Sequence, residues 1–249
     1  MNRIPKRLNK EPLIEAIWQA QFEPQEGLPI GDLLPGILYS ALKIEYPNLQ
    51  LHRLPTADIP ALVAQFDPNL RFSAKYRMEE SGSPFLFQVG DRIVSINCRK
   101  PYAGWSVFKE RILKLLDVIE SSGWVPVPER HSLRYIDLLT LDPAPELKAL
   151  QTEFQIGQWS LQNRPIQMRV EIGDGDYNHV VQIATPAEAD LPEGRFQGSV
   201  IDLETFPSSR TGSWQDIRDQ LDQIHDRSKT VFYKQLLTTE AITLMEPEY

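Results

Sequence analysis

Apolar and polar residues alternate along positions 12–24. Ile14, Ala16, Trp18, Ala20 and Phe22 share one side, and Glu15, Gln19, Gln21 and Glu23 lie opposite. A period of two predicts a half-buried strand, closed by Pro24 and Gly27. The period then changes. Leu33, Leu34, Ile37, Leu38, Ala41 and Leu42 recur at helical spacing within 28–46. Pro35 interrupts that run. A proline inside a helix removes a backbone donor, so the helix is expected to begin near Pro35 rather than pass through it.

Short strands are expected next, at 61–66 and 70–78, with Asp67, Pro68 and Asn69 as the turn between them. Positions 84–89 and 92–97 form a hairpin across Gly90 and Asp91. Short, closely connected strands pair antiparallel. The clearest helix covers 105–119, where Trp105, Phe108, Ile112, Leu115, Leu116 and Ile119 form one apolar stripe and Lys109, Glu110, Lys114 and Asp117 lie outside it. Ser121, Ser122 and Gly123 end it. Positions 131–141 return to strand composition.

Pro143 and Pro145 mark 142–146 as the candidate boundary. This gives an N-terminal α+β half at 1–142 and, at 146–249, strands plus a long terminal helix packed closely on the first half. Gly173, Asp174, Gly175 and Asp176 separate 166–172 from 177–184, a strong hairpin signal. A further strand is expected at 196–206. The last helix is expected at 213–237, with Ser213 as N-cap, Asp216 three residues later and an apolar stripe through Trp214, Ile217, Leu221, Ile224, Val231 and Phe232. The fold class is α+β: a twisted, largely antiparallel sheet with long helices packed on one face.

The 249 residues are 41% hydrophobic and 24% charged, ordinary globular usage that places the chain outside the disordered class. A net charge of −8 works against broad binding of nucleic-acid backbone, although Arg71, Arg77, Arg92, Arg99 and Lys100 are expected to gather and offset it locally. The single cysteine, Cys98, excludes an intrachain disulfide and a cysteine-rich zinc knuckle. No apolar stretch follows the basic first residues and none approaches membrane-spanning length, so a cytoplasmic location is expected.

Four constellations are candidate chemistry. Arg99, Lys100, Tyr102, Gly104 and Trp105 lead from a strand into the clearest helix, where helix-terminal N–H groups favour an anion. The nucleotide-binding glycine fingerprints are not present there. Arg134 lies in a strand with apolar neighbours and needs a partner: a ligand anion or, the plainer reading, a structural carboxylate. It does not pair with Asp137, because residues three apart on a strand face opposite sides. Asp222 with His225, and Asp174 and Asp176 with His179, have spacing open to a cation, but a solvated helix face and turn chemistry account for them more simply. Cys98 beside two cations reads as a core residue, and no serine-nucleophile elbow occurs.

The segments Pro12-Leu13-Ile14-Glu15-Ala16-Ile17, Tyr102 with Gly104-Trp105 and Phe108, Leu133-Arg134-Tyr135-Ile136-Asp137, and His225 with Phe232 together span nearly the whole chain. In these the chain resembles a sporadically distributed bacterial family of uncharacterised proteins of about this length, in which Asn often stands at the position of Asp137. The resemblance implies a bacterial origin and one conserved fold, and it transfers no catalytic residue. Its sporadic distribution suggests a mobile-element or defence context.

The functional expectation is a binding or interaction protein without a cofactor or a metal. It would engage a protein partner, or itself, or a phosphate-bearing ligand at Arg99, Lys100, Tyr102 and Arg134. The alternatives are a nucleotide- or nucleic-acid-processing enzyme and a structural homodimer seamed by the last helix. An enzyme should gather polar side chains in a deep pocket, whereas an interaction protein should expose an apolar patch.

Overall fold

The computed structural model describes residues 3–67, 70–140, 147–162, 164–191 and 194–249, with only the backbone at Ala61. The proposed boundary at 142–146 lies outside them. In chain order the elements are β1 (Arg7–Leu8), β2 (Leu13–Gln21), α1 (Ile30–Leu42), β3 (Gln50–Arg53), a 3-10 turn (Pro55–Asp58), α2 (Ala61–Ala64), β4 (Tyr76–Glu79), β5 (Phe85–Val89), β6 (Ile93–Arg99), α3 (Trp105–Ser122) and β7 (Arg130–Leu139). There follow β8 (Gln155–Ile156), β9 (Trp159–Ser160), β10 (Ile166–Asp174), β11 (Tyr177–Leu191), β12 (Gly194–Pro207), α4 (Trp214–Val231), a π turn (Phe232–Leu236), α5 (Thr239–Leu244) and β13 (Pro247–Glu248). Antiparallel strands predominate and helices alternate with runs of strands, so the fold is α+β.

The chain divides into two compact units. One contains the residues up to Glu15, Arg134–Ser208 and Asp222–Tyr249; the other contains Ala16–Leu133 and Ser209–Leu221.

In the second unit the strand order runs β2, β6, β5, β4, β3. Helices α1 and α3 lie against β5 and β6. Ile30, Leu34, Leu38 and Leu42 of α1, spaced four apart, are buried, as are Phe108, Ile112, Leu115, Leu116 and Ile119 of α3. Each such side chain contributes about 1.5–3 kcal/mol by leaving water. That stripe explains a departure from expectation: α1 starts at Ile30 and passes through Pro35, which is itself buried. Burial along four turns outweighs the one backbone hydrogen bond that Pro35 forfeits. Gly123 closes α3 at φ 68°, the left-handed conformation a glycine adopts without steric cost.

Two predicted strands are corrected. Positions 61–66 form the short helix α2 and the turn after it, and 70–75 are turn and irregular chain, with strand only from Tyr76. A short apolar run fits either a strand or a helical turn, and Pro60 accepts the backbone N–H groups of Val63 and Ala64, which starts the helix.

In the first unit the order is β10, β11, β12, β7. One face carries Val181, Ile183, Ile201, Leu203 and Leu139, packed with Val231, Phe232, Leu236 and Ala241 from the end of α4, the π turn and α5. The terminal helix therefore stops as an α-helix at Val231, short of the expected 237. Its start is as read: in the second unit the Ser213 hydroxyl accepts from Asp216 N–H at 3.1 Å, and the Asp216 carboxylate accepts from Gly212 N–H at 3.2 Å. The two-residue loop Gly175-Asp176 joins β10 and β11, with Gly175 at φ 60°. Strands β1 and β13 pair and bring the two chain ends together.

Candidate functional site

The anion loop of the second unit begins where β6 ends. Arg99 donates to the Glu79 carboxylate at 2.7 Å, and Glu79 also lies 3.0 Å from Arg77 and 3.8 Å from His52. Glu23 plays the same part for Arg71 and Arg92. The arginines expected to form an open basic field are thus each matched by an internal carboxylate, two to a glutamate. Lys100 is half-buried and, among the described residues, in no ion pair. The Lys100–Pro101 peptide is cis. Gly104 occupies the N-cap of α3 at φ 85° with no side-chain cap. The ring of Tyr102 meets Phe108 edge-on at 6.2 Å, and Trp105 meets the same ring at 6.4 Å. The aromatic half of the loop packs on its own helix.

Arg134 belongs to the other unit. Its Nε donates to Asp202 Oδ1 at 2.7 Å and its NH2 group donates to Asp202 Oδ2. Gln182 donates to the same carboxylate at 3.0 Å. The Asp202 carboxylate raises the Arg134 pKa and keeps the guanidinium charged. This is the plainer of the two readings made from sequence, a structural ion pair.

Neutralised titratable groups sit deeper. In the first unit burial holds the Asp137 carboxyl well above the usual carboxylate range, and the nearby Glu11 and Asp202 push it further. The Tyr233 phenol is raised by burial and by the nearby Asp137 and Glu11. Burial lowers His225 to about 4, and its Nδ1 lies 2.8 Å from the Tyr135 hydroxyl. In the second unit burial lowers His131 to about 4 while its Nε2 meets Gln220 Oε1 at 2.9 Å. A glutamine carbonyl only accepts, so the His131 proton resides on Nε2. These are groups arranged to stay uncharged.

The cation candidates do not assemble. Asp222 and Asp226 are exposed on α4. His179 is buried, hydrogen-bonds to Thr205 at 3.0 Å and lies 3.9 Å from Asp174. Among the described residues no three His, Cys, Asp or Glu side chains gather as a metal site. Cys98 is buried.

Two features escaped the sequence reading. Leu62, Val63 and Phe66, on α2 and the turn after it, are 68%, 55% and 78% exposed, while Ala64 between them is buried. From sequence the same residues are expected to form a strand. In the first unit an open cleft of about 340 Å³ is lined by Arg3, Pro5, Tyr233, Lys234, Thr243 and Tyr249. It assembles from opposite ends of the chain, so no local motif announces it.

Among the described residues no helix is long and apolar enough to cross a membrane. No protein-family model matches the chain, and no curated protein matches it.

Proposed function

We propose that the protein is a non-catalytic cytoplasmic interaction protein that docks an apolar surface of a partner protein on the turn carrying Leu62, Val63 and Phe66. The observation behind this reading is the exposure of three large apolar side chains within five residues, with Gln65 among them and Asp67 after them. Leu62 and Val63 stand on α2 and Phe66 on the turn that follows it. Large apolar side chains left exposed this close together favour a protein partner. The internal pairing of Arg99 with Glu79 and of Arg134 with Asp202 also supports it, since both cations already have their carboxylates. A bacterial defence or mobile-element setting, as the family resemblance suggests, suits a protein that works by recruitment. The test is affinity capture from an extract of the source organism. A partner retained by the wild type and lost by Leu62→Ser/Phe66→Ser, with an unchanged melting temperature, supports the reading; equal retention by both contradicts it.

A phosphate-bearing ligand, bound or processed, is the second reading. The cleft favours it by placing Arg3 and Lys234 beside the phenols of Tyr233 and Tyr249. Calorimetric titration with inorganic phosphate and with a nucleotide tests this, with Lys234→Ala as the control that must lose any binding seen.

A further inference from the structure

Strand β10 ends the strand order of its unit. It runs nine residues in unbroken register with β11, from Ile166 opposite Thr185 to Asp174 opposite Tyr177. Among the described residues nothing hydrogen-bonds to its outer side. Proteins guard such edges with proline, lysine, bulges or very short strands. The sequence IQMRVEIGD has no proline and no lysine, and no bulge interrupts its pairing.

Its side chains are exposed as well. Val170 and Ile172 are 36% and 48% exposed although they lie on the same face as the core residue Val181. Arg169 and Glu171 are exposed on the opposite face, and among the described residues neither is in an ion pair.

We propose that β10 is the seam of a homodimer, in which the β10 strands of two copies pair antiparallel about a two-fold axis at Val170. The register follows from the sequence. Centred at Val170, Arg169 of each copy faces Glu171 of the other, Met168 faces Ile172, and Val170 faces itself. Opposite charges and apolar pairs directly across an antiparallel ladder are stabilising, and like charges are destabilising. Centring one residue earlier sets Arg169 against Arg169, and one residue later sets Glu171 against Glu171. A half-residue shift sets Arg169 against the apolar Val170. Only the register at Val170 matches both charges and continues the apolar face over 168–172, which is the self-complementarity an isologous interface requires. The two sheets become one across the seam, and both open edges are satisfied. This seam is independent of the apolar turn at Leu62 and Phe66.

The experiment is sedimentation velocity on the full chain over roughly 1–100 µM, the range suited to a small interface. Four proteins are compared: wild type, Arg169→Glu, Glu171→Arg, and the double exchange Arg169→Glu/Glu171→Arg. The wild type is expected to dimerise, each single reversal to weaken the dimer at least about 10-fold, and the double exchange to restore it. An equimolar mixture of the two single variants is expected to form a heterodimer, because one strand then presents two acids and the other two arginines. That arm also shows that the single variants are folded. A wild type monomeric throughout the range, or a dimer whose strength the single reversals leave unchanged, overturns the proposal.

Discussion

Arg134 on β7 and Asp202 on β12 hold each other by two hydrogen bonds, the Nε–Oδ1 bond measuring 2.7 Å, with Gln182 of β11 donating to the same carboxylate. The pair stands on the sheet face away from the apolar core, where a charged side chain without its partner is poorly solvated. Asp202→Ala is expected to cost about 2–3 kcal/mol, because it strands the guanidinium. The double variant Arg134→Met/Asp202→Leu is expected to recover most of that loss. Urea unfolding of the three proteins measures it. A double variant no more stable than Asp202→Ala would show that the pair does more than neutralise itself.

Two buried histidines are expected to make the protein acid-sensitive. Burial lowers His131 and His225 to about 4 in the folded chain, against an ordinary value of 6.5. The unfolded chain therefore binds more protons between those values, so stability rises with pH there and is lost as pH falls from 6.5 towards 4. On the order of 2 kcal/mol per histidine is at stake. Melting temperatures from pH 7.5 to 4.5 should fall, and the fall should be shallower in His131→Gln and in His225→Gln, which carry no titrating ring. Equal slopes in all three proteins would remove these rings as the cause.

Asp137 works in the opposite sense. Its pKa is raised by burial and by neighbouring carboxylates, so the folded chain holds a proton that the unfolded chain releases above its ordinary 3.8. Its contribution is fully present below that value and declines as pH rises. Asp137→Asn, which resembles the protonated acid, is expected to raise the melting temperature at pH 8 by about 2–4 °C for each kcal/mol relieved. At pH 4 it is expected to change little. A lower melting temperature at pH 8 would mean that the ionised carboxylate has a stabilising partner.

Glu79 gathers Arg77, Arg99 and His52 at 3.0, 2.7 and 3.8 Å. These side chains are partly exposed, so Glu79→Gln is expected to cost under about 1 kcal/mol. Its main effect should be electrostatic: Arg77 and Arg99 lose their counter-charge. Retention on a sulfated matrix at low salt should increase relative to wild type and collapse at high salt. Unchanged retention would indicate that the loop is already open to anions.

The sequence shows the fold best where one period persists. The alternation of 12–24 became β2, the stripe from Trp105 to Ile119 became α3, and the Gly175 turn became the β10–β11 hairpin. It misleads where a short apolar run is ambiguous, as at 61–66, and where packing overrides a local rule, as at Pro35. Arg134 announced its need for a partner, but Asp202 stands 68 positions away and no local spacing connects them. For the same reason Glu79 was invisible as the partner of Arg99. The charge pattern of β10 is plain in residues 166–174, yet it has meaning for pairing only because the strand lies at an edge.

The most direct test of the interaction reading is a capture experiment with separate protein and small-molecule arms. It uses wild type, Leu62→Ser/Phe66→Ser and Arg99→Ala/Lys100→Ala. The expected result is a stoichiometric protein partner that the Arg99/Lys100 variant keeps and the Leu62/Phe66 variant loses. A nucleotide or nucleic acid bound to wild type and lost only in the Arg99/Lys100 variant, with no protein affected at Leu62 and Phe66, would contradict it.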